Sequence, residues 1–201
     1  IRFRVHEFED LIDSSCITLK GQQKIAKTIQ ENYRDYDGFV VVHGTDTMGY
    51  TASNLSFMFE NLNKTVVVTG SQIPISQLRS DAVDNLLGSL IVAGPLQIPE
   101  VVIYFDNKMM RGNRTTKASS SKMDAFESPN IPPLAVFDVS LQVEWNRILK
   151  HNQGQFKVFY DMNQNIAQIS LSPLFTNYEV LNQMFHSSDA VILSGYGMGN
   201  L

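Results

Sequence analysis

Gly38–Ser53 reads GFVVVHGTDTMGYTAS, an apolar run that stops at a knot of hydroxyl and carboxylate residues. Phe39–Val42 has the composition of a strand buried on both faces, as in a parallel sheet. Thr51–Asn61 (TASNLSFMFEN) then spaces its apolar residues as a helix does. Between them lie His43, Gly44, Thr45, Asp46 and Thr47. Ligands of open α/β sheets bind beyond the carboxyl ends of the strands, so this turn is expected to face a crevice with N–H groups and side-chain oxygens converging. Thr and Asp are also favoured helix caps, and an ordinary capped turn explains the same residues equally well.

The alternation extends in both directions. Ile1–Phe8 alternates apolar and charged residues like a strand, and Thr18–Tyr33 places Ile25, Ile29 and Tyr33 on one helical face. Downstream the pattern predicts a strand at Thr65–Thr69, a helix at Asp81–Ala93 and a strand at Val101–Phe105. Such a rhythm implies right-handed crossovers and a parallel sheet. From Asp106 to Asp124 (DNKMMRGNRTTKASSSKMD) the pattern loosens into a long polar loop carrying Lys108, Arg111, Arg114 and Lys117. Phe137–Ile148 reads as irregular or extended, Phe156–Tyr160 and Ile166–Leu171 as strands, Tyr178–Phe185 as a helix and Ala190–Leu193 as one more buried strand. The expected fold is therefore α/β: a three-layer domain with a mainly parallel sheet over residues 1–187, and the start of a second, smaller α/β domain over 188–201.

The 201 residues, 43% hydrophobic, can bury one sizeable core. A net charge of −4 with interspersed acids and bases argues against a dedicated nucleic-acid binder and suits a small polar substrate. No apolar run approaches the roughly 20 residues that span a bilayer, and IRFRVHEFED lacks the apolar core of a signal peptide. The single cysteine, Cys16, fits a reducing compartment, so a cytoplasmic location is expected. Four scattered histidines show no metal-ligand spacing.

Four segments fall at predicted strand ends: Asp13-Ser14-Ser15, His43–Thr47, Thr69-Gly70-Ser71-Gln72 and Asn107–Lys117. Together they offer hydroxyls, one carboxylate, one lysine and glycine-backed N–H donors. That inventory suits acyl transfer at an amide or ester without metal or cofactor. A Thr or Ser hydroxyl needs a base to take its proton; Lys117 fits that role, with Asp46 orienting it. Each piece also has a plainer reading. Ser14 and Ser15 suit a cap, Ser71 and Gln72 a turn before Pro74, Lys117 a solvated loop, Asp81 a cap and His43 a structural histidine. Gly195, Gly197 and Gly199 have the spacing G-x-G-x-G, which is not a dinucleotide fingerprint.

The segments LIDSS (Leu11–Ser15), HGTDTM (His43–Met48), VVVTGSQIP (Val66–Pro74), RSDAVDNLL (Arg79–Leu87) and RGNRTTK through AFESPN (Arg111–Asn130) occur in one order. In that order they resemble the bacterial-type asparaginase family, its cytoplasmic type I branch, and the asparaginase domain of animal lysophospholipase-like proteins. The resemblance implies hydrolysis of asparagine to aspartate and ammonia, glutamine being accepted by some members, in a homodimer or homotetramer. By position, Thr45, Asp46 and Lys117 match the family's second catalytic cluster, and Asp46 also matches the residue holding the substrate α-amino group. Ser14, flanked by Asp13 and Ser15, matches the loop gripping the α-carboxylate. Ser71 joins them as a substrate contact, and Asn200 resembles the asparagine that reaches a neighbouring subunit's site. The turn itself suggests that Gly44 and Thr45 present N–H donors to an oxyanion.

Two departures accompany the match. The family's acylating threonine sits in a TGGTI-like segment that these 201 residues do not contain, and most of the second domain is missing as well. The chain is therefore expected to be a fragment or truncated product with little turnover of its own. Cys16-Ile17 also stands where relatives carry an acidic or amide residue followed by methionine. Two alternatives compete with the hydrolase: a non-catalytic regulatory product of the same fold, and a tRNA-dependent amidotransferase subunit, which needs an RNA-facing surface. No G-x-S-x-G elbow supports a separate lysophospholipase site.

Overall fold

The computed structural model describes residues 1–174 and 177–200, and the chain folds as two compact units, Ile1–Tyr160 and Asp161–Leu201. In the first unit a 3-10 turn at Ser14–Cys16 precedes α1 (Leu19–Asn32), β1 (Gly38–Val42), α2 (Met48–Met58), β2 (Phe59–Glu60), β3 (Thr65–Thr69), α3 (Ala82–Ala93) and β4 (Val101–Phe105). Then come β5 (Lys108–Arg111), a 3-10 turn at Gly112–Arg114, β6 (Thr116–Lys117), β7 (Phe126–Glu127), β8 (Ala135–Phe137), β9 (Leu141–Val143) and β10 (Lys157–Val158). The second unit holds β11 (Ile166–Ser170), α4 (Tyr178–Ser187) and β12 (Ala190–Ser194).

The fold class is the expected α/β one. In the main sheet, ordered β1-β3-β4-β5-β8-β9, the three long strands β1, β3 and β4 are parallel and the shorter ones extend it antiparallel. Val40, Val67 and Val102 stand in register across the parallel strands. They share one face with Tyr104 and with Val92 and Ala93 of α3. Alternate positions Val66, Val68, Ile103 and Phe105 point to the other face, and α2 packs on β3 and β4 with Met48 and Leu55 fully buried. Both faces being covered explains why every residue of β3 and β4 is buried. On the outer layer, Thr18 Oγ1 accepts from the Gly21 N–H and so caps α1, which turns Ile25, Ala26 and Ile29 inward.

Several expectations need correction. Ile1–Phe8 forms no strand; Ile1, Phe3 and Val5 are exposed, since alternation without a partner strand has nothing to bury them against. β1 is only half-buried, with Val42 73% exposed, because it is the edge of the sheet rather than an interior strand. α2 begins at Met48, three residues before the expected start at Thr51. The polar stretch after Phe105 is a loop only from Ala118 to Asp124; its first part is ordered as β5, a 3-10 turn and β6. Asp106 and Asn107, both at positive φ (46° and 59°), reverse the chain so that Phe105 pairs with Lys108 and β5 returns along β4. Phe137–Ile148 is irregular apart from the last residue of β8 and the short strand β9, which pairs antiparallel with β8, in keeping with its irregular or extended reading.

The compact units divide between Tyr160 and Asp161, whereas the sequence pattern places a boundary at Ser188. The reason is pairing: Ile166–Ser170 runs parallel to Ala190–Ser194, which ties the earlier strand to the later one. Leu201, within the expected second domain, lies outside the described residues. β12 is mostly exposed instead of buried, with Ile192 54% accessible.

Candidate functional site

At the carboxyl end of β1 the chain enters the turn His43–Thr47, held to the neighbouring strand by a hydrogen bond from the His43 N–H to the Thr69 carbonyl (2.7 Å). Lys117 reaches this turn from 72 residues away. Its Nζ donates to Thr45 Oγ1 at 2.8 Å and to Asp46 Oδ1 at 2.7 Å. The lysine is largely shielded while the aspartate side chain is 61% exposed, so the carboxylate opens to solvent and the ammonium does not. The approach depends on Gly49 in the first turn of α2, where a Cβ would come within 2.8 Å of the Thr115 carbonyl oxygen. From Thr115 the chain runs into β6, pairing Lys117 with Phe126 of β7.

The Asp13–Ser15 segment meets the same turn. Thr47 Oγ1 donates to the Ser14 carbonyl at 2.6 Å. Gly44 lies against Ser14 so closely that a Cβ would stand 2.5 Å from the serine Oγ. Only glycine fits there. Asp13 caps the short turn, its Oδ1 accepting from the Ser15 N–H (2.9 Å) and hydroxyl (2.8 Å). Those bonds, the backbone one first, hold the Asp13 carboxyl below its ordinary pKa. Neither Ser14 nor Ser15 takes the capping role considered for them: Asp13 caps the short turn and Thr18 caps the helix that follows.

His43 is engaged on both ring nitrogens. Nδ1 lies 2.7 Å from the Gly44 carbonyl oxygen and Nε2 lies 3.0 Å from Thr51 Oγ1. Burial lowers its pKa, favouring the neutral ring. The structural reading of this histidine fits the geometry. Sequence reasoning missed its partners: Thr51, then Gln22 and Asn54, which continue the hydrogen-bond chain into α1 and back to α2. The one available signal is Thr51, eight residues on and on the inward face of the following helix.

Ser71 is half-buried on the loop after β3. That loop is shaped from α3. Asp81 occupies the cap position, but its carboxylate reaches across to accept from the Gln72 N–H (3.0 Å) and the Ile73 N–H (3.0 Å) instead of capping its own helix. Asn85, buried at 2% exposure, donates to the Gly70 carbonyl and to Asp81 Oδ2, and accepts from the Asp106 N–H. An acid and an amide four residues apart at a helix start were the missed signal. Of the basic residues assigned to the polar stretch, it is Lys117 that meets the turn. Arg111 pairs instead with the buried Glu100 (Nη2 to Oε1, 3.0 Å), and Lys108 pairs with Asp124. Asn200 belongs to the second unit, where it closes a turn on Tyr196 through hydrogen bonds of 2.7 and 2.9 Å. Among the described residues no group of three His, Cys, Asp or Glu side chains is arranged to hold a metal ion, and no helix is long and apolar enough to cross a membrane.

A shielded lysine bonded at once to a hydroxyl and a carboxylate, beside a glycine-backed turn, is an arrangement for moving protons at a carbonyl centre. Comparison with known proteins identifies the family. A profile of the asparaginase N-terminal domain matches residues 2–149. L-asparaginase 1 of Escherichia coli (strain K12) is 46% identical over 198 residues, covering 98% of this chain and 59% of that protein. The 60 kDa lysophospholipase of Mus musculus is 41% identical over 201 residues, 100% of this chain and 36% of that protein. A subunit of the glutamyl-tRNA(Gln) amidotransferase of Thermoplasma acidophilum is 32% identical over 187 residues, 89% of this chain and 44% of that protein. The crystal structure of L-asparaginase I from Vibrio cholerae superposes with a TM-score of 0.93 at 46% identity, covering 99% of this chain and 61% of that one. The chain thus spans at most about three-fifths of the length of these relatives. On the profile match, the shared fold and the HGTDTM turn in its strand-turn-helix setting, the chain belongs to the asparaginase family of amidohydrolases.

Proposed function

We propose that these residues are the part of an L-asparaginase that carries its threonine, aspartate and lysine cluster, and that the protein hydrolyses asparagine to aspartate and ammonia. The observation that carries this reading is Lys117 Nζ standing within hydrogen-bond distance of both Thr45 Oγ1 and Asp46 Oδ1. Lysine has donors only, so Thr45 Oγ1 accepts from it and the threonine's own proton is turned elsewhere. A neighbouring ammonium makes that hydroxyl a better acid, able to protonate the departing nitrogen as the amide bond of the substrate breaks. Asp46 offsets the lysine's charge, and its exposed carboxylate is free to take a substrate ammonium group. Ser14 and Ser71 supply hydroxyls for the substrate carboxylate, with Asp13 and Ser15 shaping the loop beside it through the Ser15–Asp13 bonds, and the Gly44 and Thr45 N–H groups serve a developing oxyanion.

The acylating threonine of the family pattern is assigned to a segment outside these 201 residues, and self-association completes the site. The amidotransferase reading is set aside because identity is higher to the L-asparaginases and the net charge of −4 suits RNA poorly. The test is ammonia release from asparagine by the 201-residue chain beside a version extended upstream through the threonine segment and downstream through the rest of the second domain. Turnover only in the extended form is the expected result. Steady release by the shorter chain overturns the assignment of acylation elsewhere, and silence in both overturns the hydrolase reading.

A further inference from the structure

We infer that His43 is a positioning residue: its Nδ1–H holds the Gly44 carbonyl and thereby sets the direction of the Thr45 N–H. The direction of each hydrogen bond in the relay leads to this tautomer. Asn54 Nδ2 donates to Gln22 Oε1 at 2.6 Å, which leaves Gln22 Nε2 to donate to Thr51 Oγ1 at 3.2 Å. The Gly44 carbonyl can only accept, so the Nδ1 beside it at 2.7 Å carries the ring proton and Nε2 is the acceptor; the Thr51 hydroxyl, which accepts from glutamine, gives its own proton to Nε2 at 3.0 Å. Thr51 is fully buried and Gln22 is 6% exposed, so water does not compete readily for these bonds. Burial also disfavours the doubly protonated ring, which could not accept from Thr51.

The consequence follows from the planarity of the peptide unit. With no cis bond among the described residues, the Gly44 C=O and Thr45 N–H point in opposite directions from one plane. Anchoring the carbonyl on the imidazole turns the Thr45 N–H away from the imidazole and fixes it. Gly44 needs such an anchor because glycine places few limits of its own on that plane. The role in catalysis rests on the proposed hydrolase reading; the anchor itself does not.

Two isosteres separate the ring nitrogens. His43→Asn keeps a donor near the Nδ1 position, and His43→Gln keeps a polar group near the Nε2 position. Nitrogen-15 NMR of the 201-residue chain near neutral pH is expected to show His43 protonated at Nδ1 and bare at Nε2. The Thr45 amide resonance is expected to stay in place in His43→Asn and to move in His43→Gln. In the form of the protein that turns over asparagine, His43→Gln is expected to lower kcat about 100-fold with little change in KM, as a misaimed donor does, while His43→Asn stays within about threefold of the parent. A ring protonated at Nε2, a Thr45 resonance that moves equally in both variants, or equal losses in kcat overturns the inference. If the parent shows no turnover while the tautomer and the Thr45 resonance behave as stated, the hydrolase reading fails and the anchor stands.

Discussion

Two strand-to-helix connections leave the same end of the sheet side by side, and they are built on different plans. The turn His43–Thr47 is fixed from several directions: by the His43 ring, by Thr47 on the Ser14 carbonyl and by Lys117. The longer connection from Gly70 to Asp81 is fastened from the entry to α3, where Asp81 and Asn85 hold its first residues and Ser80 Oγ donates to the Ile73 carbonyl (2.7 Å). A geometry that must hold a lysine, a hydroxyl and a carboxylate together is fixed from several separate segments, whereas a loop that must only keep its shape is fastened from the start of the helix that follows it.

The contrast is broken most severely at Lys117. Lys117→Ala removes the group that links Thr45 and Asp46, and ammonia release from asparagine in the active form is expected to fall at least about 1000-fold. Thermal stability should hardly change, since the lysine's ion pair is with a mostly exposed aspartate. An equal loss of melting temperature and activity would instead make Lys117 a structural residue.

At the second connection the order reverses. Asp81→Ala leaves the Gln72 and Ile73 amides without their acceptor and is expected to cost about 1–2 kcal/mol in chemical denaturation. Asp81→Asn, which keeps an acceptor oxygen, should lose less. Indistinguishable midpoints for the two variants would remove the clamp from this account. A smaller effect sharpens the comparison through pH. The folded-state pKa of His43 lies below 6.5 because of burial, so in acid the unfolded chain takes up its proton first. Stability from this group is complete above the unfolded value and drains as pH falls through the folded one. Melting curves at pH 7.5 and 5 should therefore show an acid loss that shrinks in His43→Asn. The smallest change is expected from Gln72→Ala, whose Nε2 bond to the Lys122 carbonyl is exposed; its stability should match the parent within about 0.5 kcal/mol.

The first of these connections was legible in the chain and much of the second was not. An apolar run ending in HGTDTM marks a strand, a turn and a helix, and β3 and β4 announce themselves as VVV and VVIYF because both faces are covered. Lys117 was matched to the turn by its place at another predicted strand end and by the family pattern, since nothing in local periodicity pairs residues so far apart. Asp81 read as a cap because its type and place fit one; its acceptor geometry is a property of the loop packed in front of it. The hairpin after Phe105 hid because Asp-Asn looks like loop composition. Two consecutive left-handed residues are instead the turn that lets adjacent strands reverse. Ile1–Phe8 failed in the other direction, because alternation specifies a strand only where a neighbour pairs with it.

The 72-residue separation between Thr45 and Lys117 also orders events in time. Closing so long a loop is entropically costly until the intervening strands have paired, so their contact belongs at the end of folding rather than its beginning. In a refolding experiment the helical signal should recover before the lysine is drawn into its shielded position, giving the chain an interval in which it has its secondary structure and no assembled site.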